Sequence, residues 1–180
     1  KLRFKRADNI AGLFQAASQG YAVASVGYRL SSHAKWPAQV NDVKAAIRYL
    51  RNHAEEYHLD PTCVIVCGNS SGGHIAQTVA ATNDDIDFED CLLGDCGDSS
   101  VQGCFSMYGV SDIYVCEHQT GHRDDGDNPM SPPDQLMGFC IVAEPEERCE
   151  MASSVKAIKR RPDGVPPMLI QHGTGDVVVP

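Results

Sequence analysis

Apolar residues recur along this chain with two alternating signatures, a helical stripe and a short continuous run. Ile10, Leu13, Phe14 and Ala17 stand at i, i+3, i+4 and i+7. That spacing predicts a helix over residues 9–18, with Asn9 or Asp8 able to cap its start and Gly20 placed to end it. Residues 21–30 are small and β-branched almost throughout, which predicts a strand buried on both faces of a parallel sheet. After a loop at 31–36, Pro37 opens a long helix to about Tyr57. Val40, Val43, Ile47, Leu50, Ala54 and Tyr57 form its dry stripe, and Asp42, Lys44, Arg48, Arg51 and Glu55 its wet side. Asp60-Pro61 marks a turn. A strand over 63–67 and a helix over 71–82 follow. The alternation predicts an α/β domain with a mostly parallel sheet, helices on both faces and right-handed crossovers.

The second half is less regular. Residues 83–100 are acidic and turn-rich, as expected of a solvated surface excursion. The next strand is expected over 101–108. Gly109-Val110-Ser111-Asp112 follows at its C-terminal end, where open α/β sheets place ligand sites. The alternation then breaks over 114–161. A loop-like stretch at 121–133 precedes short helical candidates at 135–142 and 145–158, which together read as an insertion able to serve as a lid or cap. The last strand is expected at 168–172. No internal repeat is present, so residues 1–180 read as one domain.

The composition narrows the partners. The 24 acidic and 15 basic side chains leave a net charge of −9, which argues against nucleic acid. No apolar stretch is long enough to span a bilayer, and the basic start Lys1–Arg6 lacks the apolar region of a signal peptide. The eight cysteines contain no Cys-x-x-C, and Cys91 and Cys96 lack a suitably spaced histidine pair, so no zinc site is expected. They are expected to be free thiols in a reducing, cytoplasmic setting. Cys63 and Cys67, at the two ends of a strand, read as small core residues. No phosphate loop or dinucleotide fingerprint occurs, and no cofactor is expected.

The chemistry concentrates at Gly68-Asn69-Ser70-Ser71-Gly72-Gly73-His74. This is G-x-S-x-G between a strand and a helix, a turn sharp enough to expose the serine hydroxyl at the end of the sheet. Gly68 and Gly72 are expected to relieve crowding across that turn. Ser70 is the candidate nucleophile, and the backbone N–H of Ser71 the candidate oxyanion donor. A serine nucleophile requires a base. None of the seven histidines is well placed. His172 lies beside Asp176 on the same strand end, His74 hangs from the helix the serine points away from, and His122 sits in the insertion. His33, His53, His58 and His118 read as solvated. Asp112 reads as a helix cap and Asp42 as a helix-surface or hydrogen-bonding residue; Trp36 reads as packing.

The elbow Gly68–Gly73, together with His172-Gly173-Thr174-Gly175-Asp176-Val177-Val178-Val179-Pro180, resembles the serine esterase and lipase branch of the α/β-hydrolase fold. Acetylesterases, carboxylesterases of the hormone-sensitive-lipase type, feruloyl esterases and kynurenine formamidases are the relatives in view. Gly27–Leu30, the helix after Pro37, 101–112 and 151–154 resemble that branch too. The resemblance implies a serine hydrolase acting on small carboxylic esters through an acyl-enzyme. Ser70 would be its nucleophile, Asp176 its acid and Ser71 N–H one oxyanion donor. His172 would be a landmark rather than the base. Two departures stand out. The branch carries a His-Gly-Gly oxyanion motif upstream and a catalytic histidine downstream of the acid, and neither is found here. The sequence therefore reads as the middle of such a fold, whose open sheet edges could pair with another copy. The alternatives are a non-catalytic hydrolase-like binding domain and an arylformamidase-type amide hydrolase.

Overall fold

The computed structural model describes residues 15–94, 97–121 and 130–180. Most of the first expected helix, 9–18, lies outside them, as does His122. Three parallel strands, β1 (Ile65–Asn69), β2 (Gly103–Met107) and β3 (Met168–Gln171), form one sheet in that spatial order. Ile65 pairs with Gly103 and Asn69 with Met107; Cys104 pairs with Met168 and Met107 with Gln171. The strands thus end level with one another, and the loops that follow all leave from one rim.

The expected long helix divides at His53 into α1 (Ala38–Asn52) and α2 (Ala54–Tyr57). α3 (Ser71–Ala81) follows β1 directly and packs on β1 and β2, with α1 stacked behind it. Val40, Val43, Ile47, Ile75, Val79 and Cys104 close the main core. After β2 come α4 (Ile113–Thr120), α5 (Pro132–Met137), 3-10 turns at Ile141–Ala143 and Glu146–Ala152, and α6 (Ser154–Lys159). Ile113, Ile141, Cys149 and Ala152 make a second core there, and Trp36 packs against both. Asp112 caps α4 by accepting the Val115 N–H, as its position after β2 led us to expect.

Three expectations are corrected. Residues 21–30 form no strand, and most of them are exposed. A strand needs a neighbour to satisfy its backbone, and no described segment pairs with this one. Val26 and Tyr28 still pack on the core, and Arg29 grips Asp42 through its backbone N–H and its guanidinium. Cys63 and Cys67 are exposed rather than buried. The pleat turns Cys67 to the face opposite α3, where Ile65 and Leu169 are also exposed. The wet side of α1 is not wet at two places, because Lys44 and Arg48 are fully buried. Glu89, in the acidic excursion, accepts from both, and from the Ser99 hydroxyl as well. Lys44 also donates to the Thr82 carbonyl at 2.6 Å, and Arg48 to the carbonyls of Asp90 and Leu93. Burial of a charge is tolerable only when it is paired in this way. The excursion is therefore bolted to α1 by its own acid, and Phe88 beside it is buried.

Candidate active site

Ser70 links β1 to α3 with φ 51° and ψ −122°. That left-handed backbone is unusual for a residue with a side chain and is characteristic of constrained functional turns. Its N–H donates to the Met107 carbonyl at 3.0 Å, which extends the β1–β2 ladder to the serine itself. Its carbonyl accepts the His74 N–H at 3.1 Å, the first turn of α3. Ser70 and Ser71 are both exposed at the rim. Ser71 is the first residue of α3, so its N–H belongs to the group that no helical carbonyl can satisfy. A helix N-terminus carries partial positive charge, which suits a developing oxyanion.

The glycines work differently from the sequence expectation. A Cβ on Gly68 would stand 2.3 Å from the Gly72 carbonyl oxygen, so this position accepts glycine alone. A Cβ on Gly72 meets nothing within 4 Å. The second tight place is Gly73, where a Cβ would lie 2.8 Å from the Gly109 Cα as α3 crosses the end of β2. Asn69, beside the serine, donates through Nδ2 to the Tyr108 hydroxyl at 3.0 Å. Tyr108 is itself at φ 42°, and its N–H donates to the Gln171 carbonyl at 2.7 Å. Two strained residues thus sit side by side where β1 and β2 end. No local pattern marked Tyr108 as strained.

Asp176 lies in the loop after β3. Its Oδ1 accepts the N–H groups of Val178 and Val179 at 2.9 and 3.0 Å. These bonds, with the His172 charge as a lesser cause, hold the carboxyl below the usual carboxylate range. Its Oδ2 is 3.5 Å from His172 Nε2, which is committed to the Val179 carbonyl at 2.7 Å. Ser70 and Asp176 therefore follow the outer strands β1 and β3, with β2 between them. Two strand spacings amount to about 10 Å. An imidazole with a hydrogen bond on each side spans roughly 8 Å. A bridging base would have to stand over the end of β2. A crevice of about 290 Å³ opens there, lined by Gly109, Val110, Asp112, Cys116 and His172 among others. A larger hollow of about 920 Å³, bordered by Arg29, His33, Tyr49 and His53, includes none of the candidate residues.

Among the described residues no histidine is hydrogen-bonded to the Ser70 hydroxyl. His74 is 3% exposed, points its Nε2 at the Ala152 carbonyl at 3.0 Å and stacks on Trp36. Burial pushes its pKa down to about 4, against the opposing pull of that carbonyl and of the Asp112 charge. Behind the elbow a buried network joins the layers. Gln77 donates to Ser106 Oγ at 2.8 Å, and Ser154 donates to Gln77 Oε1 at 3.0 Å. Ser153 donates to Asp112 Oδ2 at 2.6 Å. Gln77 is absent from the residues expected at the site; its i+3 spacing from His74 on α3 is the signal that points to it. Among the described residues no group of three or more histidine, cysteine or acidic side chains is placed to hold a metal. No helix among them is long and apolar enough to cross a membrane.

Known proteins are similar to this chain in sequence and in fold. Esterase LipC of Mycobacterium tuberculosis is 27% identical over 173 residues, covering 93% of this chain and 40% of LipC. The probable carboxylic ester hydrolase LipM of the same organism is 30% identical over 166 residues, covering 91% of this chain and 36% of LipM. The chain thus spans about two fifths of the length of these relatives. Among solved structures, a truncated form of a carbohydrate esterase from gut microbiota superposes with a TM-score of 0.73 at 32% identity, covering 87% of this chain and 56% of that one. The esterase Est2 of Thermogutta terrifontis with butyrate bound gives 0.60 at 28% identity, over 86% and 50%. The fold is that of the α/β-hydrolase esterases. The family model described as BD-FAE matches residues 5–180, and the chain belongs to that family.

Proposed function

We propose that the protein carrying this chain is a carboxylic ester hydrolase that works through an acyl-enzyme on Ser70. The observation that carries the reading is the strained Ser70 backbone, seated between the β2 ladder and the first turn of α3. In this mechanism an imidazole over the end of β2 takes the Ser70 proton as Oγ attacks the acyl carbon. The Asp176 carboxylate, kept ionised by the Val178 and Val179 N–H groups, orients that imidazole and balances its positive charge. The Ser71 N–H, at the positive end of α3, holds the oxyanion. The alcohol leaves with the proton, and water repeats the sequence to release the acid. His74 and His172 already spend Nε2 on backbone carbonyls, and His53 and His118 spend Nδ1 on carbonyls of their own helices, so we assign the base to a histidine from outside the described residues.

The substrates we propose are esters of short-chain acids, with a carbohydrate as one alcohol. The butyrate bound to Est2 and the carbohydrate esterase among the structural relatives support this choice. Val115, Cys116 and Gln119, on the helix that opens the expected cap segment, would form one wall of the substrate site. Replacing Ser70 with alanine in the full-length protein tests the reading. Hydrolysis of p-nitrophenyl acetate should fall by at least about 10⁴-fold with the fold intact; turnover at the original rate would refute it.

A further inference from the structure

The His74 ring is placed unlike any other histidine described. It hangs from the first turn of α3, where its own N–H holds the Ser70 carbonyl at 3.1 Å. Nε2 faces the Ala152 carbonyl at 3.0 Å, and a carbonyl only accepts, so a proton is on Nε2; burial, which lowers the ring's pKa to about 4, keeps it neutral at pH 7. The flat face stacks on Trp36, with centroids 4.7 Å apart and planes 9° apart. Trp36 is itself pinned. Its Nε1 donates to the Met151 carbonyl at 2.9 Å, and its backbone N–H to the Leu136 carbonyl at 3.1 Å. Lys35 beside it reaches the Gln135 carbonyl at 2.7 Å. Three distant segments, 31–37, 132–137 and 151–152, converge on one ring that is a single helical turn from the nucleophile. Trp36 also belongs to both cores, so a shift of either core passes through this stack.

We propose that His74 is a positioning residue for the nucleophile. The pillar it forms between Trp36 and the Ala152 carbonyl fixes the first turn of α3, and so fixes where the Ser70 hydroxyl and the Ser71 N–H point. The inference rests on Ser70 being the nucleophile. A phenylalanine could fill the slot and stack on Trp36, but it could not donate to Ala152. The imidazole supplies both a flat face and a donor directed at one carbonyl. The role is distinct from that of a general base, because the ring is sealed behind Trp36 and its one proton is already engaged. Small displacements of a nucleophile or an oxyanion donor cost rate while leaving ground-state binding largely unchanged.

The test compares His74→Phe and Trp36→Phe with the wild type in the full-length protein. It measures kcat and KM for p-nitrophenyl acetate, the rate of Ser70 phosphonylation by a fluorophosphonate, and the melting temperature. For His74→Phe we expect kcat and the phosphonylation rate to fall by about tenfold or more, with KM within about twofold. For Trp36→Phe, which keeps a ring against His74 but loses the Met151 bond, we expect a fall of about threefold on the same two readouts. Unchanged kcat and labelling per folded molecule in His74→Phe would overturn the proposal, reducing the ring to packing. Should His74→Phe fail to fold, unchanged values in Trp36→Phe would overturn it equally. Failure of the underlying reading looks different: the wild type itself would then not be labelled at Ser70.

Discussion

Ser70 and Asp176 leave the same rim of the same sheet, but the chain holds them by different means. Ser70, the proposed nucleophile, is fixed from inside. Its N–H closes on Met107, the helix behind it is buried from Gly73 to Ala81, and Gly68 leaves no room for a single added carbon. Asp176, the proposed acid, is fixed from within its own loop. β3 is mostly exposed, with Leu169 at 64%, and Asp176 relies on two backbone N–H groups two and three residues ahead. One arm draws its geometry from the core and the other from a self-contained turn. Changes behind the nucleophile should therefore cost stability and activity together, while changes around the acid should be nearly free unless they touch the carboxylate.

The largest expected effect comes from protons. Unfolded, His74 titrates near its ordinary value of 6.5; folded, it titrates at about 4. As pH falls the unfolded chain takes up the proton first. The stability held above about pH 6.5 is thus lost progressively as pH falls towards 4, and no further below it. The loss should be on the order of 3 kcal/mol across that window. Urea midpoints at pH 7 and pH 4.5 should show it, and His74→Phe should remove that part of the pH slope. An unaltered slope in the variant would mean that the nucleophile arm is not buried as described. Next comes Gly68→Ala, whose methyl would meet backbone rather than a movable side chain. A loss of about 1–3 kcal/mol or more is expected, with activity falling in step. The smallest effect should come from the acid arm. Gly173 has nothing within 4 Å of a built Cβ, so Gly173→Ala should stay within about 0.5 kcal/mol of the wild type. Equal costs at Gly68 and Gly173 would erase the contrast between the arms.

The legible parts of the fold were those set by local pattern. G-x-S-x-G between a strand and a helix fixed the elbow, and the order of apolar runs fixed the parallel sheet. Asp112 could be read as a cap from its place after β2. What escaped depended on partners far along the chain. Lys44 and Arg48 looked solvated because the acid that neutralises them, Glu89, is more than forty residues away. Residues 21–30 have the composition of a buried strand, but composition supplies no ladder partner. Cys67 has core-like chemistry on a strand whose second face is left open, and Cys63 lies exposed before that strand begins. His74 and Trp36 are ordinary residues until the chain folds and lays one on the other.

The proposed mechanism requires Ser70 to be activated by an acid and base arriving from the far side of β2. The direct measurement is site-mapped fluorophosphonate labelling of the full-length protein, wild type beside Asp176→Asn. Stoichiometric label on Ser70 in the wild type, formed at least about 100-fold more slowly in Asp176→Asn, is the predicted result. A label on another residue, or equal rates in the two proteins, would contradict it.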